Sequence, residues 1–478
     1  MAPKKTSWYA VLAHLALAVA DPASNFDISP SEAKSYGCGS KCQKMLQLGY
    51  AEDREVMGTD FDFAFYETAS NFSTSIPGDI LKVQGIDPET LTVDSGLTAY
   101  KIQYTSADSS GNPVPVTGFV AFPALPPSWS TGAYPVVAYS HGTLGMYRGC
   151  APSSSPSFFD YKSWPLITER GYAVIATDYQ GLGNNHTTHK YLSWDSHARD
   201  VYYSVVAARK AFGHMLTKGW VSVGHSQGGS SVWNLAEIEH QLALNTSSAD
   251  GKYLGTVSLA PAPKIRDIVY WAVNNVLSLS DFHRWIVTAE LPFIAAGLRA
   301  VFPSFNVSSI LAEPMRKRLK LSDRAQMCTV SMMALTADLS REQLFSSTLV
   351  QEAHTNATGN LLSKLQEMTP IANGAQATAP LLVVQGTADT SVIPAITFAA
   401  YEEACRTPGY DIQLSLYEGQ DHSPTVVATA PEWLDWIKDR FAGVKTSGKC
   451  SLIRRAPLDA KLTKQDREVD FGKIADSV

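Results

Sequence analysis

The sequence predicts an α/β protein with a mostly parallel central sheet, on three observations. Short, near-continuous apolar runs recur along the chain, as in strands buried on both faces of a parallel sheet. Segments with helical spacing lie between them, the alternation that builds such sheets. A β-branched run, Val221-Ser222-Val223, also leads through Gly224-His225-Ser226-Gln227-Gly228-Gly229 into a helix-compatible segment.

The expected elements follow in order. Leu97 to Tyr104 and Val114 to Phe122 read as paired strands across Ser109-Ser110-Gly111-Asn112. Further strands are expected at 135–140, 172–178, 221–223, 256–259, 381–384 and 412–416. Helices are expected at 158–170, ending at Gly171, at 195–212 and at 432–441. The stretch before residue 97 looks loop-rich.

The alternation breaks between Pro263 and Ala379, where the pattern is mostly helical and rich in Trp, Phe and Met. This reads as a cap over the C-terminal edge of the sheet, where open α/β folds bind ligands. The alternative is a second packed subdomain with no substrate role. The organisation is then a leader (1–20), a first core part (21–262), the cap or lid (263–379), a second core part (380–445) and a C-terminal tail or arm (446–478).

The leader has the form of a signal peptide: Lys4 and Lys5, an apolar stretch from Trp8 to Val19, and Ala18-Val19-Ala20 before Asp21. Its dozen or so apolar residues fall short of the ~20 that span a bilayer. Six cysteines, an even number, suit an oxidising compartment. Pairing by local closure gives Cys38–Cys42, Cys150–Cys328 and Cys405–Cys450, against the alternative that some are buried free thiols. Five Asn-x-Ser/Thr sequons, at Asn71, Asn185, Asn245, Asn306 and Asn356, suit glycosylated loops. A secreted, extracellular protein is expected.

With 18% charged residues, a net charge of −6 and no basic run, the chain is not expected to bind nucleic acid. No His/Asp/Glu cluster has metal-ligand spacing and no Gly-rich nucleotide loop occurs, so neither metal nor cofactor is implied. A monomer is expected.

The chemistry centres on Ser226. A serine at a sharp strand-to-helix turn needs near side-chain-free residues two before and two after it, and both are glycine. Its hydroxyl needs a base. His422, in Tyr417-Glu418-Gly419-Gln420-Asp421-His422, follows the last predicted core strand. Asp389 follows the strand before it and would orient the imidazole. Asp421 competes for that role, and Asp178 more weakly, since it precedes the elbow. Two N–H donors would hold an oxyanion: that of Gln227, and that of Thr143 in His141-Gly142-Thr143, with Gly142 the fallback. His141 is expected to hold its loop by hydrogen bonds rather than act as base or ligand.

With these residues in place, the chain resembles the fungal and bacterial secretory lipase family of α/β-hydrolases. The matching blocks are Pro77 to Lys82, Tyr100 to Ser106, His141-Gly142-Thr143 with Cys150-Ala151-Pro152-Ser153, Gly171 to Gly183, the elbow, the Asp389 turn and the His422 loop. They run from about residue 60 to 442. The resemblance implies hydrolysis of carboxylic esters, often acylglycerols, under a helical cap inserted before the acid strand. The substrate would be a small-molecule or lipid ester, with transient contact to a lipid interface. A serine peptidase, a biosynthetic lactonase or acyltransferase, and a non-catalytic binding protein on the same scaffold are the rival readings.

Overall fold

The computed structural model describes residues 22–93, 96–161, 163–355 and 362–465. The signal-peptide reading and Asn356 fall outside them. Ten described strands form one sheet: β1 (Ile80–Gly85), β2 (Leu97–Ala107), β3 (Pro113–Pro123), β4 (Tyr134–Ser140), β5 (Ala173–Thr177), β6 (Leu216–His225), β7 (Lys252–Leu259), β8 (Leu381–Gly386), β9 (Ile412–Tyr417) and β10 (Ser451–Arg455). The order is β1-β2-β3-β5-β4-β6-β7-β8-β9-β10. β1, β2, β3 and β5 pair antiparallel, and every later pairing is parallel.

The β2–β3 turn is held by Asp108, whose Oδ1 accepts the N–H groups of Ser110 and Asn112, both at 2.9 Å. β4, β5 and β8 are almost wholly buried, which explains their unbroken apolar runs. The helices Trp194–Phe212 and Gln227–Asn245 cover one face. Ala430–Phe441 and the segment around Phe158 and Trp164 cover the other. No described helix is long and apolar enough to cross a membrane.

Between β7 and β8 the chain runs through a series of helices, among them Ile265–Asn275, Ile286–Val301, Glu313–Ala325, Thr329–Ala334 and Ser347–Thr355. Their apolar faces form one core, shared with residues of the N-terminal section. That section is not loop-rich. Ser40–Met57 is an 18-residue helix packed on Thr329–Ala334, and a Cβ on Gly49 would come within 2.8 Å of Ser331 Cα. Asp53 accepts the N–H groups of Val330 (3.0 Å) and Ser331 (2.9 Å). The buried stripe Cys42, Met45, Leu46, Gly49, Tyr50, Asp53, Met57 has helical spacing, but a glycine and an aspartate interrupt its apolar signal.

Two other expectations are corrected. The helix at 158–170 shrinks to Pro165–Thr168, because Phe158 (φ 49°) and Tyr161 (φ 39°) adopt left-handed backbone, which a helix cannot contain. The segment after Cys450 is not a free arm at its start, since 451–455 add β10 to the sheet edge in parallel with β9. The Cys405–Cys450 disulfide tethers it there. The other disulfides are Cys38–Cys42 and Cys150–Cys328, the latter joining the loop after β4 to the helical insertion.

Candidate active site

Ser226 is the single residue between β6 and the helix Gln227–Asn245, and it carries φ 57°, ψ −121°. A side chain other than glycine's rarely tolerates that backbone. Its N–H donates to Leu259 O at 2.9 Å, at the end of β7. The flanking glycines are required by contact. A Cβ on Gly224 would stand 2.2 Å from Gly228 O, and one on Gly228 would stand 1.9 Å from Ser140 O. Gln227, next in chain, opens the helix, whose N-terminal end favours negative charge.

The Asp389 carboxylate is held by four donors. Oδ1 accepts from the N–H groups of Ser391 (3.0 Å) and Val392 (2.8 Å). Oδ2 accepts from Gln385 Nε2 and from His422 Nδ1–H, each at 2.8 Å. That bond leaves Nε2 of a neutral His422 as the basic nitrogen. Ser226 and His422 line one cavity with Tyr161, His225 and Glu290. The His422 imidazole pairs with Asp389, and Asp421 meets His422 at its backbone. Asp421 Oδ1 accepts the N–H groups of Thr390 and His422, both at 2.9 Å, so it ties the two loops together. Asp178 is also engaged elsewhere, accepting from Thr117 Oγ1 (2.6 Å) and from Ser153 N (2.9 Å) and Oγ (2.5 Å).

The loop after β4 is fixed by Asp160, whose Oδ1 accepts the Gly142 N–H at 3.0 Å. The fallback oxyanion donor is therefore committed to a carboxylate. Thr143 borders both cavities that reach Ser226, and its carbonyl accepts from Tyr161 Oη (3.1 Å) and Thr329 Oγ1 (3.0 Å). Gln227 shares one of these cavities with it. His141 Nδ1 stands 2.7 Å from Gly142 O and Nε2 3.2 Å from Asp178 O. Among the described residues no group of three or more His, Cys, Asp or Glu could hold a metal ion.

Two residues at the site had no signal in the sequence. Glu290, on the helix Ile286–Val301, borders both cavities beside Ser226, and each of its carboxylate oxygens lies 2.9 Å from Ser391 Oγ. His225 lies with its ring centroid 4.7 Å from that of His422. Burial, then the charge of His422, pulls its pKa far below the usual histidine value.

Behind the site, His189 and His197 stack with centroids 5.2 Å apart. Burial lowers His189 to about 3, so the folded state refuses a proton that the unfolded chain accepts near pH 6.5. Its contribution to stability is present above pH 6.5 and lost as pH falls toward 3. Buried carboxyls oppose this trend: Asp53 is raised to about 6 and Asp200 to about 7, and their contribution is lost as pH rises from ~4 through those values. His189→Gln should therefore gain stability relative to wild type by up to roughly 1.4 kcal/mol per pH unit below 6.5. Urea denaturation at pH 7.5 and pH 5 checks this; an unchanged difference would refute it.

A mostly parallel sheet, a strained serine between strand and helix, and an imidazole–carboxylate pair on the loops after β8 and β9 define an α/β-hydrolase. A family model described as "Hydrolase_4: Serine aminopeptidase, S33" matches residues 165–426, more than half of the chain, and the chain belongs to that family. It is similar to Lipase 10 of Candida albicans, 23% identical over 428 residues that cover 82% of this chain and 83% of the relative. Among solved structures it resembles Candida antarctica lipase A (TM-score 0.60, 16% identity, 86% of this chain and 93% of that one). It also resembles the rice cell wall degrading esterase LipA of Xanthomonas oryzae (TM-score 0.59, 15% identity, 76% and 100%).

Proposed function

We propose that this protein is a secreted serine hydrolase that cleaves carboxylic esters through an acyl-enzyme. The observation that carries the reading is a serine in a strained corner sharing a cavity with an imidazole whose far nitrogen is fixed by a fully hydrogen-bonded carboxylate. Ser226 Oγ attacks the ester carbonyl as His422 Nε2 takes its proton. Asp389 stabilises the imidazolium, which then protonates the leaving alcohol. The N–H groups of Gln227 and Thr143 bind the oxyanion, each contributing about 2.7–4 kcal/mol to the transition state. Water, with His422 again as base, releases the acid.

The helices between β7 and β8 act as the cap. Ile265, Ile268, Val287 and Ile294 border the cavity at Ser226, and such walls suit apolar acyl groups. The names of Lipase 10 and lipase A agree with that preference. Activity on p-nitrophenyl esters should persist or rise from acetyl to octanoyl. A steep fall beyond butyryl would replace the lipase reading with a small-acyl esterase. The family's description favours a second reading, cleavage of peptide amides; adding aminoacyl p-nitroanilides to the panel separates the two.

Secretion rests on the form of residues 1–20 and on three disulfides. Asn71, Asn185, Asn245 and Asn306 are all exposed, as glycan acceptors must be. Transient contact with a lipid interface belongs to the same proposal.

A further inference from the structure

Two cavities meet at Ser226. Both are bordered by Thr143, Glu290 and Ser391, but Gln227 borders only one of them and His422 only the other. A tetrahedral carbon on Ser226 Oγ carries three further groups: the oxyanion, the acyl chain and the alcohol oxygen. The oxyanion belongs with the Gln227 and Thr143 amides. The alcohol oxygen has to lie within reach of His422 Nε2, which gives it a proton as its bond to the carbonyl carbon breaks. The alcohol therefore departs on the His422 side, and the acyl chain is left with the cavity walled by Ile265, Ile268, Val287 and Ile294.

The apolar wall on the His422 side comes from Ile286 and from Val330 and Met333 of the short helix Thr329–Ala334. That helix is fixed from several directions. The Cys150–Cys328 disulfide immediately precedes it. Thr329 N–H donates to Leu144 O at 3.2 Å, and Thr329 Oγ1 donates to Thr143 O at 3.0 Å. Asp53, from the N-terminal helix Ser40–Met57, accepts the N–H groups of Val330 and Ser331. The segment that carries Thr143 and the one that carries Val330 and Met333 are thus tied together, so this wall stands in a fixed relation to the reacting carbon.

We infer that the His422-side cavity is the subsite for the leaving alcohol, and that Met333 and Val330 set the bulk of the alcohol it takes. The assignment rests on the ester-hydrolase reading above and divides that site into two parts with separate specificities. An alcohol that attacks the acyl-enzyme enters by the same route. It gives its proton to His422 Nε2 as its oxygen bonds to the carbonyl carbon, and Ser226 Oγ departs with that proton.

The test uses the full mature chain and octanoate esters of ethanol and cyclohexanol. One methylene in a pocket is worth about tenfold or more in discrimination. Met333→Ala should therefore raise the cyclohexyl-to-ethyl ratio of kcat/KM by roughly tenfold or more, and Val330→Phe should lower it. Neither should alter the preference among ethyl butanoate, hexanoate and octanoate, whereas Ile268→Phe, in the opposite cavity, should alter that preference and leave the alcohol ratio unchanged. With vinyl octanoate as donor and the two alcohols in competition, the ratio of cyclohexyl to ethyl octanoate formed should shift in the same sense as the hydrolytic ratio. All of these readings are ratios, so a partly unfolded preparation does not disturb them. Alcohol ratios unmoved by Met333 and Val330, or chain-length preferences that move with them, would overturn the assignment and leave ester hydrolysis at Ser226 standing. A wild-type enzyme that turns over none of the esters would take down both.

Discussion

Ser226→Ala should lower kcat/KM for p-nitrophenyl esters by a factor on the order of 10⁴–10⁶, leaving the residual rate that oxyanion donors and binding supply. Fold and thermal stability should change little, because the strained backbone is set by the glycines and the Leu259 contact rather than by the hydroxyl. His422→Ala should fall in the same range. The double variant should be hardly worse than either single one, since residues that act as a unit are not additive. Additive losses would mean that the two side chains do not work together, and a Ser226→Ala protein with near-normal turnover would move the nucleophile elsewhere.

Gly228→Ala should be the most damaging single methyl group. The added carbon would overlap Ser140 O at 1.9 Å and crowd His141 O at 2.7 Å. Both are backbone oxygens, one ending β4 and the other opening the loop that carries Thr143, so neither can swing aside as a flexible side chain could. Relief requires β4 and the helix Gln227–Asn245 to separate, at a cost of roughly 3 kcal/mol or more. Activity should fall further than stability, because the separation moves the Gln227 and Thr143 amides apart. Gly213→Ala is the control: its backbone is right-handed (φ −56°) and its Cβ would meet nothing within 4 Å. That change should be neutral or stabilising by about 0.4–1 kcal/mol. Equal effects from the two substitutions, read by denaturant midpoints and ester turnover, would contradict the packing argument.

The sequence exposed those parts of the molecule whose physics is local. β4, β5 and β8 are covered on both faces, so burial appears directly as unbroken apolar runs. The elbow shows because Gly224 and Gly228 sit at fixed offsets from the serine and admit no side chain. Asp389 and His422, hydrogen-bonded to each other, are legible as candidates because each follows a strand that ends at the same edge. The remainder depends on partners distant in sequence. Ser40–Met57 closes on residues nearly three hundred positions later. β10, with its alternate residues exposed, becomes a strand only because β9 and a disulfide supply its edge. Glu290 reaches the site from the middle of an apolar helix, with nothing adjacent to mark it. The left-handed backbone at Phe158 and Tyr161 belongs to a loop fixed by Asp160, and helical spacing cannot report it.

The central claim is that Ser226, His422 and Asp389 form one nucleophile–base–acid relay. Its most direct test is the rate and position of covalent labelling by a fluorophosphonate, mapped by peptide mass spectrometry in wild type, Ser226→Ala, His422→Ala and Asp389→Asn. One adduct on Ser226 in wild type, none in Ser226→Ala, and labelling slowed by orders of magnitude in the other two is the predicted result. Labelling of another residue, or of Ser226 at an undiminished rate without His422, would contradict it.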